Sequence, residues 1–229
     1  MSEDMFVNPP LHALETRQRR FGLFSGDACK YQTDVAPFAA VRQRSQASMR
    51  QLHSLLALHE TVYMMGAEPL VVPGLAFNYT LPGLQMIFPE NAALPALAAP
   101  VELHRLSCEN AAEMVALTEV AFPGYFRIRT CEMGTYYGIR IDGQLVAMAG
   151  ERLAFDRYKE ISAVCTHPGH RGKGYAAALV TQLLAGHRRD GWLSCLHTGA
   201  ANKKAIALYH RLGFITTREV AFHRVIRSE

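Results

Sequence analysis

The sequence predicts an α/β (α+β) fold: a mixed, mostly antiparallel sheet flanked by helices, preceded by a smaller α/β segment. Three observations carry that expectation. A strand-like run, residues 160–166, passes through a turn with Gly169, Gly172 and Gly174 into a long apolar-periodic segment. Residues 136–150 alternate about Asp142–Gly143, the strongest short-range hairpin signal. Ala176, Leu179, Val180, Leu183 and Leu184 recur with the spacing of one helix face.

With 49% hydrophobic and 19% charged residues, the 229-residue chain can build a core and is too weakly charged for disorder. The Ala/Pro-rich stretch 91–100 reads as a linker between residues 1–98, an α/β segment of unknown role, and residues 99–229. In the first part Met49, Leu52, Leu55 and Leu56 share a helical face behind Ser45 as N-cap. Residues 60–65 and 84–88 read as strands, separated by a loop that contains Pro73, Gly74, Pro82 and Gly83. His12, His53 and His59 are scattered and suit structural or surface positions.

In the second part residues 101–106 alternate like a half-buried strand, and 109–121 are helical in period. The hairpin and a strand at 158–166 follow. The helix after the glycine turn has Arg188 and Arg189 in its last turn and Gly191 beyond it. Residues 192–197 form the next strand. Asn202 can cap a second helix whose Ala205, Leu208, Tyr209 and Leu212 share a face, ended by Gly213, and 214–226 supply one or two strands. Helices then lie on the faces of a mixed sheet.

A net charge of +4 suits a small anionic ligand. The basic runs Arg17, Arg19, Arg20 and Arg42, Arg44, Arg50 lack aromatic interleaving, so no nucleic-acid partner is expected. Cys29, Cys108, Cys131, Cys165 and Cys195 stand apart with no CxxC pair, which predicts reduced thiols, no metal and a cytoplasmic location. Cys165 and Cys195 read as small core residues rather than nucleophiles. No stretch is long and apolar enough for a membrane span, so no membrane partner is expected. A homodimer stays open if the first segment leaves an apolar face uncovered.

The turn itself has a chemical meaning. Glycines leave little bulk, so backbone N–H groups can converge on one ligand. The following helix adds its positive end, and Arg171 and Lys173 add full charges. Together these suit a phosphate or pyrophosphate, although an ordinary tight turn has the same residues. No Gly-x-x-x-x-Gly-Lys-Ser/Thr or full Gly-x-Gly-x-x-Gly occurs, which disfavours a nucleotide-binding protein.

Three motifs in order carry a resemblance: GluIleSerAlaValCysThrHisPro at 160–168, Arg171-x-x-Gly174-x-Ala176, and AsnLysLysAlaIleAlaLeuTyrHisArgLeuGlyPhe at 202–214. They resemble the GCN5-related N-acetyltransferases (GNAT superfamily), and within them the FR47-like branch, over residues 101–229. Residues 1–98 resemble the extra segment of some FR47-like proteins; a degenerate half-copy of the GNAT fold is an alternative, without a second glycine turn.

The resemblance implies acetyl-CoA as co-substrate and a small-molecule or peptide amine as acceptor. It implies that Arg171, Gly172, Lys173, Gly174, Tyr175 and Ala176 hold the coenzyme A pyrophosphate, with Ala163, Val164, Cys165 and Thr166 beside the pantetheine arm. Asn202 can bond that arm or simply cap its helix. Tyr209 is the implied general acid; with a phenol near 10 and a thiol near 8.5, donation to the departing thiolate is expected to run downhill. Its alternative is packing with Leu208 and Leu212. Glu160 is the candidate general base, through water, or else a solvent-facing residue paired with Lys159 or Arg157. His167 and His170 read as rim residues. A non-catalytic acyl-CoA sensor is the alternative function.

Overall fold

The computed structural model describes residues 5–96 and 101–228. In chain order the elements are α1 (Pro9–Glu15), β1 (Gly22–Ser25), β2 (Ala28–Tyr31), β3 (Ala39–Val41), α2 (Gln46–Leu55), β4 (Thr61–Met65) and β5 (Leu75–Phe88). There follow β6 (His104–Leu106), α3 (Ala111–Ala121), β7 (Tyr136–Ile141), β8 (Gln144–Phe155), β9 (Tyr158–Thr166), α4 (Tyr175–Arg189), β10 (Leu193–Gly199), α5 (Lys203–Arg211) and β11 (Ile215–Arg227).

Strands β1–β3 form a small sheet of their own, and the other eight form one sheet in the order β4-β11-β5-β10-β9-β8-β7-β6. Among these strands only β9 and β10 pair in parallel. The expected boundary at 98 lies outside the described residues, and β4 and β5, which precede it, share the large sheet with the strands that follow it.

Local chemistry explains most of these elements. The Ser45 hydroxyl accepts from the Ser48 amide at 3.0 Å and starts α2. Asp142 and Gly143 both have positive φ, 50° and 78°, so the β7–β8 turn has the backbone that fits strand twist. At α5 the Asn202 side chain accepts from the Ala205 amide at 3.2 Å. The far end of α4 is fixed to the sheet by His187, which bonds Ser194 on β10 at 2.7 Å and Glu151 on β8 at 3.1 Å.

Two expectations are corrected. The loop predicted through Pro82 and Gly83 is strand, because β5 is 14 residues long and pairs with β11 along its length. Pro82 is tolerated because its carbonyl, and hence its ring nitrogen, faces the end of β10, where it accepts from the Ala200 amide at 2.9 Å. No bond to β11 is lost. The second correction concerns the cysteines: Cys108 and Cys131 are bridged, with Cα atoms 5.4 Å apart. A pair separated by 23 positions has no local signature.

The sheet carries a different layer on each face. On one, α4 and α5 bury Leu179, Val180, Leu183, Leu184, Tyr209 and Leu212 against Ala147, Ala149, Ile161 and Leu196. On the other, Leu11, Leu14, Phe21, Tyr31 and Phe38 of the first segment cover Leu153, Phe155 and Cys195, while α3 covers Met148 and Cys165. Gly150 is where this packing is tightest. An added Cβ would lie 2.1 Å from the ring of Tyr136, which is buried and bonds the Glu151 carbonyl through its hydroxyl at 2.6 Å. Gly150→Ala is therefore expected to cost about 3 kcal/mol by overpacking, read as a lowered midpoint with an unchanged slope in urea unfolding; a loss under about 0.5 kcal/mol would show that Tyr136 can move.

Candidate active site

The site begins where β9 and β10 part. Their pairing runs only over Tyr158–Glu160 against Leu193–Cys195. Beyond Glu160 the two strands have no further register, and the gap between them opens toward α4 and α5. Within it the β8–β9 register shifts between Met148/Cys165 and Gly150/Ser162, and Ala163 takes φ 52°. That is a bulge with a left-handed non-glycine residue. The bulge turns Ala163 toward the α3 layer and Val164 toward the α4 layer.

A cleft of about 800 Å³ fills the space so made. Its walls include Val164, Cys165 and Thr166 of β9, the turn Arg171–Ala176, Asn202, and Tyr209 of α5. Eleven of the thirteen expected site residues thus meet in one cleft; Ala163 and Glu160 do not line it. Ala163 is held away by the bulge. Residues missed from sequence include Ala121 and Phe122 at the end of α3, and Lys204 and Arg211 on α5. The spacing of seven between those two cations was the available signal.

The turn is shaped for an anion. Gly172 and Gly174 both have φ 80°, and an added Cβ at either would meet nothing within 4 Å. Their glycine identity therefore answers to backbone shape and open approach rather than to crowding. The Ala178 amide is the first to bond back into α4, to the Gly174 carbonyl at 3.1 Å, so the amides of Tyr175, Ala176 and Ala177 precede the helix ladder. Arg171, Lys173, Lys204 and Arg211 stand among the lining residues with no carboxylate, which selects a ligand of several negative charges. These residues fit the diphosphate of coenzyme A.

Two side chains, Tyr209 and Glu160, depart from expectation, and Cys165 keeps to it. The Cys165 thiol is pushed up to about 12 by burial, so it lines the cleft as an apolar group and not a nucleophile. Burial, with Cys165 beside it, also raises the Tyr209 phenol above 10. A phenol is a weaker acid than a thiol, so full proton transfer to a free thiolate runs uphill, and the downhill expectation is corrected. Burial keeps Tyr209 protonated, ready to donate a hydrogen bond to charge developing on sulfur.

Glu160 is neither solvent-facing nor paired with Lys159 or Arg157. Its side chain is fully buried. Arg152 donates to both carboxylate oxygens, at 2.9 and 2.5 Å, and His197 bonds Oε1 through Nδ1 at 2.7 Å. His197 Nε2 lies 3.1 Å from the Gln85 amide nitrogen, and the Thr217 hydroxyl donates to Gln85 Oε1 at 3.1 Å. One polar chain thus crosses β8, β9, β10, β5 and β11, at the last point where β9 and β10 are joined. His197 and Gln85 gave no sequence signal, because their partner is 37 or more residues away.

Residues 136–223 match the family described as FR47-like protein. The chain is 32% identical to a GNAT-family protein from Novosphingobium aromaticivorans DSM 12444, with a TM-score of 0.88 over 99% of this chain and 100% of that one. The chain belongs to the GNAT family. A GCN5-related N-acetyltransferase from Kribbella flavida shares the GNAT fold at 18% identity, with a TM-score of 0.60 over 94% and 91% of the two chains. A GNAT-family acetyltransferase from Colwellia psychrerythraea does so at 15% identity, with a TM-score of 0.54 over 88% and 84%. Comparison with curated proteins gives no match. No helix among the described residues of this GNAT chain is long and apolar enough to cross a membrane.

Burial alone would raise the Glu160 carboxyl, but Arg152 and the His197 hydrogen bond outweigh it and bring it from 4.5 to about 2. Because the folded value lies below the unfolded one, its contribution is complete above about pH 4.5 and is lost as pH falls toward 2. Subtracting the pH–stability curve of Glu160→Gln from that of the wild type should leave a component on the order of 3 kcal/mol that disappears over that window. Parallel curves would show that Glu160 is not held as an ion.

Proposed function

We propose that this chain is an N-acetyltransferase that moves an acetyl group from acetyl-CoA to a primary amine by direct attack. The observation that carries the reading is the cleft: a cationic, carboxylate-free wall around open left-handed glycines, leading to Tyr209 and the free edge of β9. Acyl transfer from acetyl-CoA is the chemistry of the GNAT family, and the acceptor class proposed here is a small-molecule or peptide amine.

Bound acetyl-CoA supplies a thioester carbonyl. The amides from Gly172 to Ala176 grip the diphosphate, with Arg171 and Lys173 adding charge. The β9 main chain at Val164–Thr166 faces the pantetheine arm, with an amide of Val164 or Cys165 directed at the carbonyl oxygen, where charge builds during attack. Asn202 stands at the arm while its Oδ1 caps α5. Tyr209 donates a hydrogen bond that strengthens as sulfur departs. Glu160, expected as the base, is buried off the cleft with both oxygens held by Arg152 and His197, so its part is to anchor β9 and the amine's proton leaves to water.

That hold also favours a second reading, a non-catalytic acyl-CoA sensor, since a carboxyl at about 2 is a weak base. Release of free thiol from acetyl-CoA across a panel of amines separates the two readings: amine-dependent release supports the enzyme, and binding without release supports the sensor.

Two variants test the assignments. Tyr209→Phe is expected to lower kcat about a hundredfold with the Kd for acetyl-CoA nearly kept; a large loss of affinity instead would make Tyr209 a binding residue. Gly174→Glu places strain, bulk and negative charge at the turn. Acetyl-CoA at a hundred times Kd should stabilise the wild type by about 2.7 kcal/mol and this variant not at all. Equal stabilisation would move the diphosphate elsewhere.

A further inference from the structure

Helix α3 and the segment after it form the wall of the cleft opposite α5, through Ala121 and Phe122. The bond between Cys108 and Cys131 closes a ring around this wall: it joins the turn before α3 to the turn at Thr130–Met133. The two cysteines differ in exposure. Cys108 belongs to an exposed residue, while Cys131 is buried beside Phe126 and Tyr136. The remaining cysteines, Cys29, Cys165 and Cys195, are all buried.

The wall has other fastenings, and they are unevenly placed. Arg140 pairs with Glu113 at the start of α3. At the far end Arg129 pairs with Asp34 and Glu132, and the Thr130 hydroxyl donates to the Val35 carbonyl at 2.7 Å. Between them, Pro123 and Gly124 are exposed, and a Cβ on Gly124 would meet nothing within 4 Å. Just past this open stretch Tyr125 packs on Tyr63 and Phe126 on Tyr136, and the covalent ring ties the turn before α3 to this fixed far end.

We propose that Cys108 is a thiol-exchange site for a low-molecular-weight thiol, and that the Cys108–Cys131 bond is a clasp whose opening loosens the α3 wall of the cleft. A thiolate attacks Cys108 Sγ. The new bond is a mixed disulfide at Cys108, the Sγ–Sγ bond breaks, and its electron pair leaves on Cys131, which takes a proton from water. A second thiol then attacks the mixed disulfide, freeing Cys108 as a thiol and giving the small disulfide. The chain gains two electrons and two protons, and two thiols are oxidised. The small disulfide drives the reverse.

The test needs no turnover, so it stands or falls apart from the acetyltransferase reading. Protein purified without reductant is denatured, alkylated with iodoacetamide and mapped by mass spectrometry. Cys108 and Cys131 should resist alkylation until dithiothreitol is added. Brief treatment with reduced glutathione should leave its adduct on Cys108 and not on Cys131. Amide exchange over residues 119–130 should accelerate about tenfold on reduction while that of α4 is unchanged. Cys108→Ser should show the fast exchange with or without dithiothreitol. Free Cys108 and Cys131 in the unreduced protein, an absent or Cys131-borne adduct, or exchange unchanged by reduction would each overturn the proposal.

Discussion

The site depends on two neighbouring strands being joined at one end and apart at the other. Parallel pairing of β9 and β10 stops at Glu160, and Glu160 sits in the polar chain from Arg152 to Thr217 that spans five strands. Burying an ionised carboxylate is expensive unless it is paired and its remaining lone pairs are used. Here the pairing is complete, so the ion marks a fixed branching point in the sheet. Val164, Cys165 and Thr166, the β9 residues that line the cleft, follow directly from that branch.

The two sides of the cleft are built by different means. On the α4–α5 side, backbone amides, cations and Tyr209 follow one another along the chain with little intervening loop. On the other side the wall is α3, whose buried Met114 and Leu117 rest on the sheet, together with a segment tied to Asp34 and Val35 of the first part of the chain. The first hundred residues thus reach the site through their strands and through these ties.

What was legible in the sequence was what local chemistry writes. Glycines at 172 and 174 declare a left-handed turn, Asp142–Gly143 a hairpin, and Asn202 a cap, and each needs only its neighbours. The place of Tyr209 on a buried helix face was legible because that face, shared with Leu212, is periodic; its expected role came from the family resemblance. Illegible features depended on distant partners. Pro82 breaks a strand only if a neighbour needs its missing N–H, and β10 ends just there. Glu160 reads as a surface acid beside Lys159 until Arg152 and His197 are brought to it by folding. Cys108 and Cys131 looked solitary for the same reason, and the small sheet β1–β3 has strands of three or four residues, too short for alternation to show.

The left-handed Ala163 fixes the arithmetic of β9. Before it, Ile161 faces α4; after it, Val164 does, so odd and even positions exchange faces within three residues. A strand counts its side chains in twos, and the bulge inserts a single step. Removing either Ser162 or Ala163 would restore ordinary alternation with Ile161 and Val164 still on the α4 face, so what the bulge adds is the extra left-handed step itself. That step leaves backbone groups outside the ladder with β8, and a β9 shortened by one would keep its faces and lose only those.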